Sequence, residues 1–375
     1  MSPISRLMKE DRSLALDVFR GLTMFMMVIV NNGVKREFTY PAIEHATWNG
    51  FTLADLIFPS FVFILGVAVA FVKKPDRAKG ERLLPVYIHI IKRTLILFAL
   101  GILFNQNPFD HEQLIHFRVM GVLQRLALVY LVSSILVLHT PKAWQAVAAV
   151  FFLALYWLIM KAGASPGFAP GDLSRAGNIA GHIDRLLLAG HLYKPDWDPE
   201  GILSTLPAIA SGLIGVMAGH WLRTEKKLPE KIAAMMVAGG ALIVASLITK
   251  VWFPVNKNLW SPSFVLLCGG LDLQILGAML WVIDYKGIKK WTGLFVVLGV
   301  NSITAYLCSD LLSAMSIIPA GTRAGEKIFV NQFIFFTYSD LTGVHFGAFL
   351  YSLTCSLFIT FLMWLLYRKR IFIKI

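Results

Sequence analysis

Ten apolar stretches separated by polar breaks divide the chain. They lie at roughly 17–34, 51–72, 89–104, 118–138, 144–162, 202–222, 232–253, 264–284, 291–311 and 346–367. A helix of about 18 or more apolar residues crosses roughly 30 Å of hydrocarbon. The pattern therefore predicts an all-α fold, a polytopic membrane helical bundle of about ten transmembrane helices. Two shorter apolar pieces, 312–319 and 328–336, read as re-entrant or interfacial segments. The breaks hold no soluble domain and no sequence repeat, so residues 1–375 read as a single transmembrane domain.

Composition agrees with this reading. The chain is 57% hydrophobic and 15% charged, against roughly 45–50% and about 25% in soluble domains. The net charge of +13 then points to membrane lipid headgroups and cytoplasmic loops as partners, not to nucleic acid. Residues 1–12 are polar and the first apolar run has no small-residue cleavage site, so an uncleaved anchor is expected. Cys268, Cys308 and Cys355 all fall within apolar runs and read as small buried hydrophobes. No metal site is expected from their spacing.

Loop charge assigns the sides. With ten spans, one set of loops carries Arg6, Lys9 and Arg12; Lys73, Lys74, Arg77, Lys79 and Arg82; Lys142; Arg223, Lys226, Lys227 and Lys231; Lys286, Lys289 and Lys290; and Arg368, Lys369, Arg370 and Lys374. The other set is longer and poorer in basic residues. The basic set is cytoplasmic by the positive-inside rule, which puts both termini in the cytoplasm. The loops at 35–50, 105–117, 163–201, 254–263 and 312–345 are then external. The longest of these, 163–201, is rich in Gly and Pro and carries His182, Asp184, Arg185, His191, Asp196, Asp198 and Glu200. A loop of that length is more often functional than a passive connector.

Candidate chemistry gathers at 41–66, where a polar mouth opens onto an apolar run. His45 there is a general base, nucleophile or proton relay, or an interfacial imidazole bonded to a loop carbonyl. Thr52-x-x-Asp55 matches a capping box, and Asp55 is equally a carboxylate aimed at His45 or at a cationic substrate. Asn31 and Asn32 end the first run as a cap or as amide donors to a developing oxyanion. Within the spans each ionisable group needs a partner. Asp17 and Arg20 have the i, i+3 spacing of an ion pair. Arg125, beside Gln124, requires an anion: a carboxylate such as Asp272, or a phosphate. Asn301 and Ser302 add polar groups to the ninth run. Asn256-Lys257-Asn258-Leu259-Trp260-Ser261 reads either as part of an aromatic belt or as a sugar or phosphate site. The chain has no GxSxG, Walker A, GxGxxG or HExxH motif.

Ordered matches along nearly the whole chain carry a resemblance. They include Leu-Asp-Val-Phe-Arg-Gly (16–21), His-Ala-Thr-Trp-Asn-Gly (45–50), Ala-Asp-Leu-Ile-Phe-Pro (54–59) and Gly-Val-Leu-Gln-Arg-Leu (121–126). Ile-Asp-Arg-Leu-Leu-Leu (183–188), Asp-Pro-Glu-Gly-Ile-Leu (198–203), Pro-Val-Asn-Lys-Asn-Leu-Trp-Ser (254–261) and Leu-Tyr-Arg-Lys-Arg-Ile-Phe (366–372) continue it. The chain resembles the heparan-alpha-glucosaminide N-acetyltransferase family. That resemblance implies an acyltransferase that moves acetyl from cytosolic acetyl-CoA to a terminal glucosamine across the membrane. It implies no metal, an amino-sugar or glycosaminoglycan-derived substrate, and a homodimer. The family's active-site His falls on His45 and its Asn on Asn31. One departure is Cys308-Ser309-Asp310, where a His-Glu pair is expected.

The reading is then a transmembrane N-acetyltransferase in the bacterial inner membrane. His45, Asn31 and Asp55 are its catalytic candidates. Arg20, Gln124, Arg125, Asn301 and Ser302 are candidates for the CoA moiety. Trp48, Asn49, Asp184, Glu200, Asn256, Lys257, Asn258 and Trp260 are candidates for the sugar. Two rivals share the polar cavity such residues would line: a transporter of sugars or organic anions, and an O-acetyltransferase of a surface glycan.

Overall fold

The computed structural model describes residues 13–72, 82–104, 116–312, 315, 317–323 and 325–373. Arg6, Lys9, Arg12, Lys73, Lys74, Arg77, Lys79, Lys374 and most of the 105–117 loop lie outside the described residues.

Every one of the ten apolar runs contains a helix. The helices are α1 (Leu14–Asn31), α2 (Leu53–Val69), α3 (Leu84–Phe104), α4 (Val122–His139), α5 (Lys142–Ala162), α6 (Ile179–Leu187) and α7 (Thr205–Leu222). They continue with α8 (Leu228–Thr249), α9 (Pro262–Met279, extended by the π-helical Leu280–Tyr285), α10 (Thr292–Val300) and α11 (Ser302–Leu311). Last come α12 (Val330–Thr342) and α13 (Val344–Arg368). Among the described residues, eight helices are long and apolar enough to cross a membrane, so the protein is a multi-pass membrane protein. The run at 51–72 yields α2, an apolar helix of 17 residues.

The ninth run is not one straight helix. Its halves, α10 and α11, meet at an angle of 84°. Asn301 sits at the break, ends α10 and begins α11. Its amide donates to the carbonyl of Ile371 (3.2 Å) and accepts from the backbone N–H of Ile373 (3.1 Å). The side chain thus serves backbone groups of the C-terminal tail. Between the two short pieces lies an antiparallel hairpin, β1 (Pro319–Arg323) and β2 (Glu326–Phe329); the piece at 328–336 is the end of β2 and the start of α12, and residues 313, 314 and 316 of the other lie outside the described residues. Arg323 pairs with Glu326 in register and forms a two-pronged ion pair with Asp340, both bonds 2.8 Å.

Large apolar side chains point outward along α3, α5 and α8, among them Ile88, Leu95, Val150, Leu158, Val237 and Val244. A surface of that extent is untenable in water and natural in lipid.

The described residues form two compact units. One comprises the chain up to Tyr40, Lys227–Met235 and Gln274 onward. In it α1 packs against α10 and α13, and Asp17 lies 3.6 Å from Arg20, the expected i, i+3 pair. Asn32 caps α1: its amide donates to the carbonyl of Val28 (3.0 Å) and to Ser309 Oγ (2.9 Å).

The other unit comprises Pro41–Lys226 and Met236–Leu273. Its centre is α7, which packs on α2, α4 and α5. The facing side of α7 is built of small residues, including Ala208, Ser211, Gly212, Gly215 and Gly219. In lipid, where the hydrophobic effect does not drive helices together, close backbone approach supplies the attraction. Gly66 of α2 lies directly against the backbone of Gly212, where a Cβ would collide. Gly66→Val should therefore separate α2 from α7 and cost roughly 1–3 kcal/mol, the usual penalty of overpacking. A thermal melt of the detergent-solubilised variant, followed by size-exclusion fluorescence, checks this; an unchanged midpoint would refute the tight contact.

Candidate active site

The mouth of α2 is built around one carboxylate. Thr52 adopts an extended backbone and starts the helix, and Asp55 stands in its first turn. The Thr52 backbone N–H and hydroxyl donate to Asp55 Oδ2 at 3.0 and 3.1 Å. Such a reciprocal cap satisfies helix-end groups that would otherwise lack partners. The backbone N–H of Ala46 also donates to Oδ2, at 3.2 Å. Oδ1 is turned to His45 Nδ1 at 2.8 Å. Asp55 is only 1% exposed at its side chain, whereas His45 is 45% exposed.

The cap and the His contact use different oxygens of the same group. An ionised carboxylate only accepts, so Nδ1 carries the proton and Nε2 keeps its lone pair. A fixed tautomer whose second nitrogen keeps its lone pair is what a general base or nucleophile requires.

Lys257 completes the cluster. Its Nζ lies 3.1 Å from His45 Nδ1, 3.2 Å from Nε2 and 4.0 Å from Asp55 Oδ1. Burial pulls the Lys257 ammonium below its ordinary pKa, while Glu200 and Asp55 oppose that pull without cancelling it.

The loop that carries Lys257 is pinned to the loop that carries His45. Asn256 donates through its amide to Asn49 Oδ1 (3.0 Å) and accepts the N–H of Leu259 (2.9 Å). Gly50 N–H donates to the carbonyl of Val255 (2.8 Å). Trp260 closes the turn at φ 49°, a left-handed conformation rare for a bulky residue. It is held there by packing: its Nε1 donates to Ser211 Oγ (3.1 Å), its ring meets Phe58 edge-on at 5.1 Å, and Arg125 lies 4.9 Å above it.

Arg125 corrects one expectation. Asp272 is not its hydrogen-bond partner: Asp272 Oδ1 accepts from Ser60 Oγ at 2.5 Å on the α2–α9 side. Arg125 instead donates to the carbonyl of Gly201 (3.1 Å) and to Ser204 Oγ. It is fully buried, and its Nε and Nη1 have no hydrogen-bond partner among the described residues. A backbone carbonyl, a hydroxyl and an aromatic face stand where Asp272 was expected, because the turn before α7 brings them to the end of α4.

Sequence reading missed Arg118 altogether. Its Nε donates to Asp198 Oδ2 (2.9 Å) and its Nη2 to Asp198 Oδ1 (2.5 Å) and to Glu200. The guanidinium stacks 4.7 Å over Tyr193. Burial works against its charge, but Glu200 and Asp198 outweigh that and hold its pKa above the ordinary value. Burial likewise pushes the Glu200 carboxyl up, and Arg118, Arg125 and Lys257 bring it below its ordinary value. Two carboxylates beside a predicted span end were the available signal, since buried anions require a cation.

The remaining candidates are spread. Trp48 donates from Nε1 to the carbonyl of Leu173 (3.0 Å) and meets Trp197 edge-on at 5.8 Å. Asp184 in α6 accepts the N–H of Ile202 at 2.8 Å, and Gly201 leaves room for its carboxyl where a Cβ would strike it. Gln124 is buried against Gly101, and Asn258 is half-buried. Arg20, Asn31, Asn301 and Ser302 belong to the other unit; Asn31 is exposed at the end of α1.

The fold and this cluster define a class: a helical membrane protein with an Asp-oriented His at a helix mouth. Comparison with known proteins is consistent with it. Residues 12–249 match the family described as heparan-alpha-glucosaminide N-acetyltransferase, catalytic. A heparan-alpha-glucosaminide N-acetyltransferase of Mus musculus is 31% identical over 368 aligned positions, covering 83% of this chain and 55% of that protein. One of Homo sapiens is 30% identical over 419 aligned positions, covering 96% and 59%. The chain belongs to this family. It spans little more than half the length of these curated relatives.

Burial, first of all, pushes the Asp184 carboxyl up to about 6 from 3.8. Any stability tied to its protonated form is present below 3.8 and is lost as pH rises through about 6. Between those values the wild type should lose thermal stability relative to Asp184→Asn. Parallel melting curves of the two proteins across that range would contradict the assignment.

Proposed function

We propose that the protein is a transmembrane acetyltransferase. It moves the acetyl group of cytosolic acetyl-CoA to the amino group of a glucosamine-type sugar on the periplasmic side of a bacterial inner membrane. The observation that carries this reading is the 2.8 Å bond between His45 Nδ1 and Asp55 Oδ1 at the mouth of α2. Family membership supports the acyl chemistry and the sugar class. The bias of basic residues toward one set of loops supports the orientation.

In this reading Asp55 holds the imidazole with the proton on Nδ1 and the lone pair on Nε2. Nε2 takes the proton released as the sugar amine attacks the thioester carbonyl, or it takes the acetyl group and hands it on. Asp55 stabilises the imidazolium or acyl-imidazolium that either route creates. Arg125, with unpartnered Nε and Nη1 donors, is the CoA candidate best equipped to bind an oxygen anion. Among the sugar candidates Lys257 stands against His45, and Asn49 and Asn256, bonded to each other, join the loops that carry the two residues.

His45→Ala should lower the rate of glucosamine acetylation by roughly 10²–10⁴-fold, the usual contribution of a general base, or more if the acyl group passes through the ring. The half-exposed ring leaves no buried cavity behind, but its loss takes one donor from buried Asp55, so a lowered thermal midpoint should accompany the loss of activity. Proteoliposomes supplied with labelled acetyl-CoA and glucosamine provide the readout. Full activity in the variant would remove His45 from the mechanism; sugar counterflow without an acetylated product would favour transport.

A further inference from the structure

We propose that Lys257 is itself an acetyl acceptor. When no amino sugar is present, its Nζ takes the acetyl group of acetyl-CoA at the His45 site and becomes N-acetyl-lysine. This rests on the acetyltransferase reading and adds a modification site to it.

Position argues first. Nζ lies within 3.2 Å of both ring nitrogens of His45, where the amine of any acceptor must come. Lys257 also presents the same functional group as the proposed substrate, a primary alkyl amine. Its backbone cannot carry it away easily, because Asn256 is bonded to Asn49 and to Leu259, and Val255 to Gly50.

Charge argues second. An ammonium has three protons to place. The neighbouring carboxylate, Asp55, already accepts from His45, Ala46 and twice from Thr52, and it lies 4.0 Å away. Of the ring nitrogens, only Nε2 has a lone pair to offer. Glu200 adds a favourable field, but its carboxylate is bonded to Arg118. Arg125 opposes the ammonium. Burial favours the uncharged amine, which is the nucleophilic form.

The step balances without another reactant. The Nζ lone pair forms a C–N bond to the thioester carbonyl carbon, and the C–S bond breaks. The proton lost by Nζ passes by way of His45 Nε2 to the CoA sulfur, which leaves as the thiol. The product is a neutral amide standing against the imidazole. An enzyme loaded with donor but starved of acceptor would thereby silence itself.

The full-length protein in proteoliposomes, incubated with carbon-13-labelled acetyl-CoA and no sugar, tests this by peptide mass spectrometry. Acetylation of Lys257 should outpace that of Lys142 and Lys226 by roughly tenfold or more, as expected of a positioned reactant. Added glucosamine should suppress it, and His45→Ala should abolish it. Acetylation of Lys257 no faster than of Lys142 and Lys226, or undiminished in His45→Ala, would overturn the inference. If glucosamine is acetylated in a His45-dependent manner while Lys257 stays unmodified, the inference alone fails. If neither amine is acetylated, the acetyltransferase reading fails with it.

Discussion

A buried carboxylate with four hydrogen-bond donors holds the mouth of α2 together. Asp55 receives the backbone N–H and hydroxyl of Thr52, the N–H of Ala46 and the imidazole of His45. At 1% exposure it could not remain ionised without them. The N-terminal helix dipole adds to the same effect. Helix initiation and the orientation of His45 are therefore consequences of one group. The segment from His45 to Thr52 is folded back on α2 by the same bonds that orient the imidazole.

A second layer steadies what stands opposite. Arg118 binds Asp198 and Glu200, and Arg125 binds the turn at Gly201 and Ser204 while covering Trp260. Tyr156 of α5 donates to the carbonyl of Leu259 at 2.6 Å. Together these hold the 254–261 loop in a conformation that its own sequence disfavours, with Trp260 in the left-handed region. Lys257, in the same loop, lies against the imidazole.

Small residues explain how so polar a cluster is packed between lipid-facing helices. Gly215 and Gly219 let α7 approach the α2 backbone, and Gly212 makes room for Val129 of α4. α2 is consequently buried over much of its surface, including Asp55 and Ser60. The polar groups face protein, and the outward faces of α3, α5 and α8 take the hydrocarbon.

Helix positions and the membrane class were legible in the sequence, because a span needs a continuous apolar run and little else. The Thr52–Asp55 cap was legible for a similar reason: it is a local pattern three residues wide. His45 was legible chiefly through the motif around it, since a lone imidazole has many uses. The contacts made over long sequence distance were not. Lys257 is 212 residues from His45, Arg118 is 80 from Asp198, and Arg125 is 76 from Gly201. Nothing in composition or periodicity encodes which distant loop meets which helix end, so charge alone offers Arg125 either Asp272 or a phosphate and not the turn at Gly201. The break at Asn301 also escaped notice, because its cause lies in the tail at Ile371 and Ile373. Apolar periodicity, then, determined what enters the membrane. Only tertiary packing, through the backbone contacts at Gly66 and Gly212 and the saturated carboxylate of Asp55, decided which polar groups meet and which nitrogen of His45 faces Asp55.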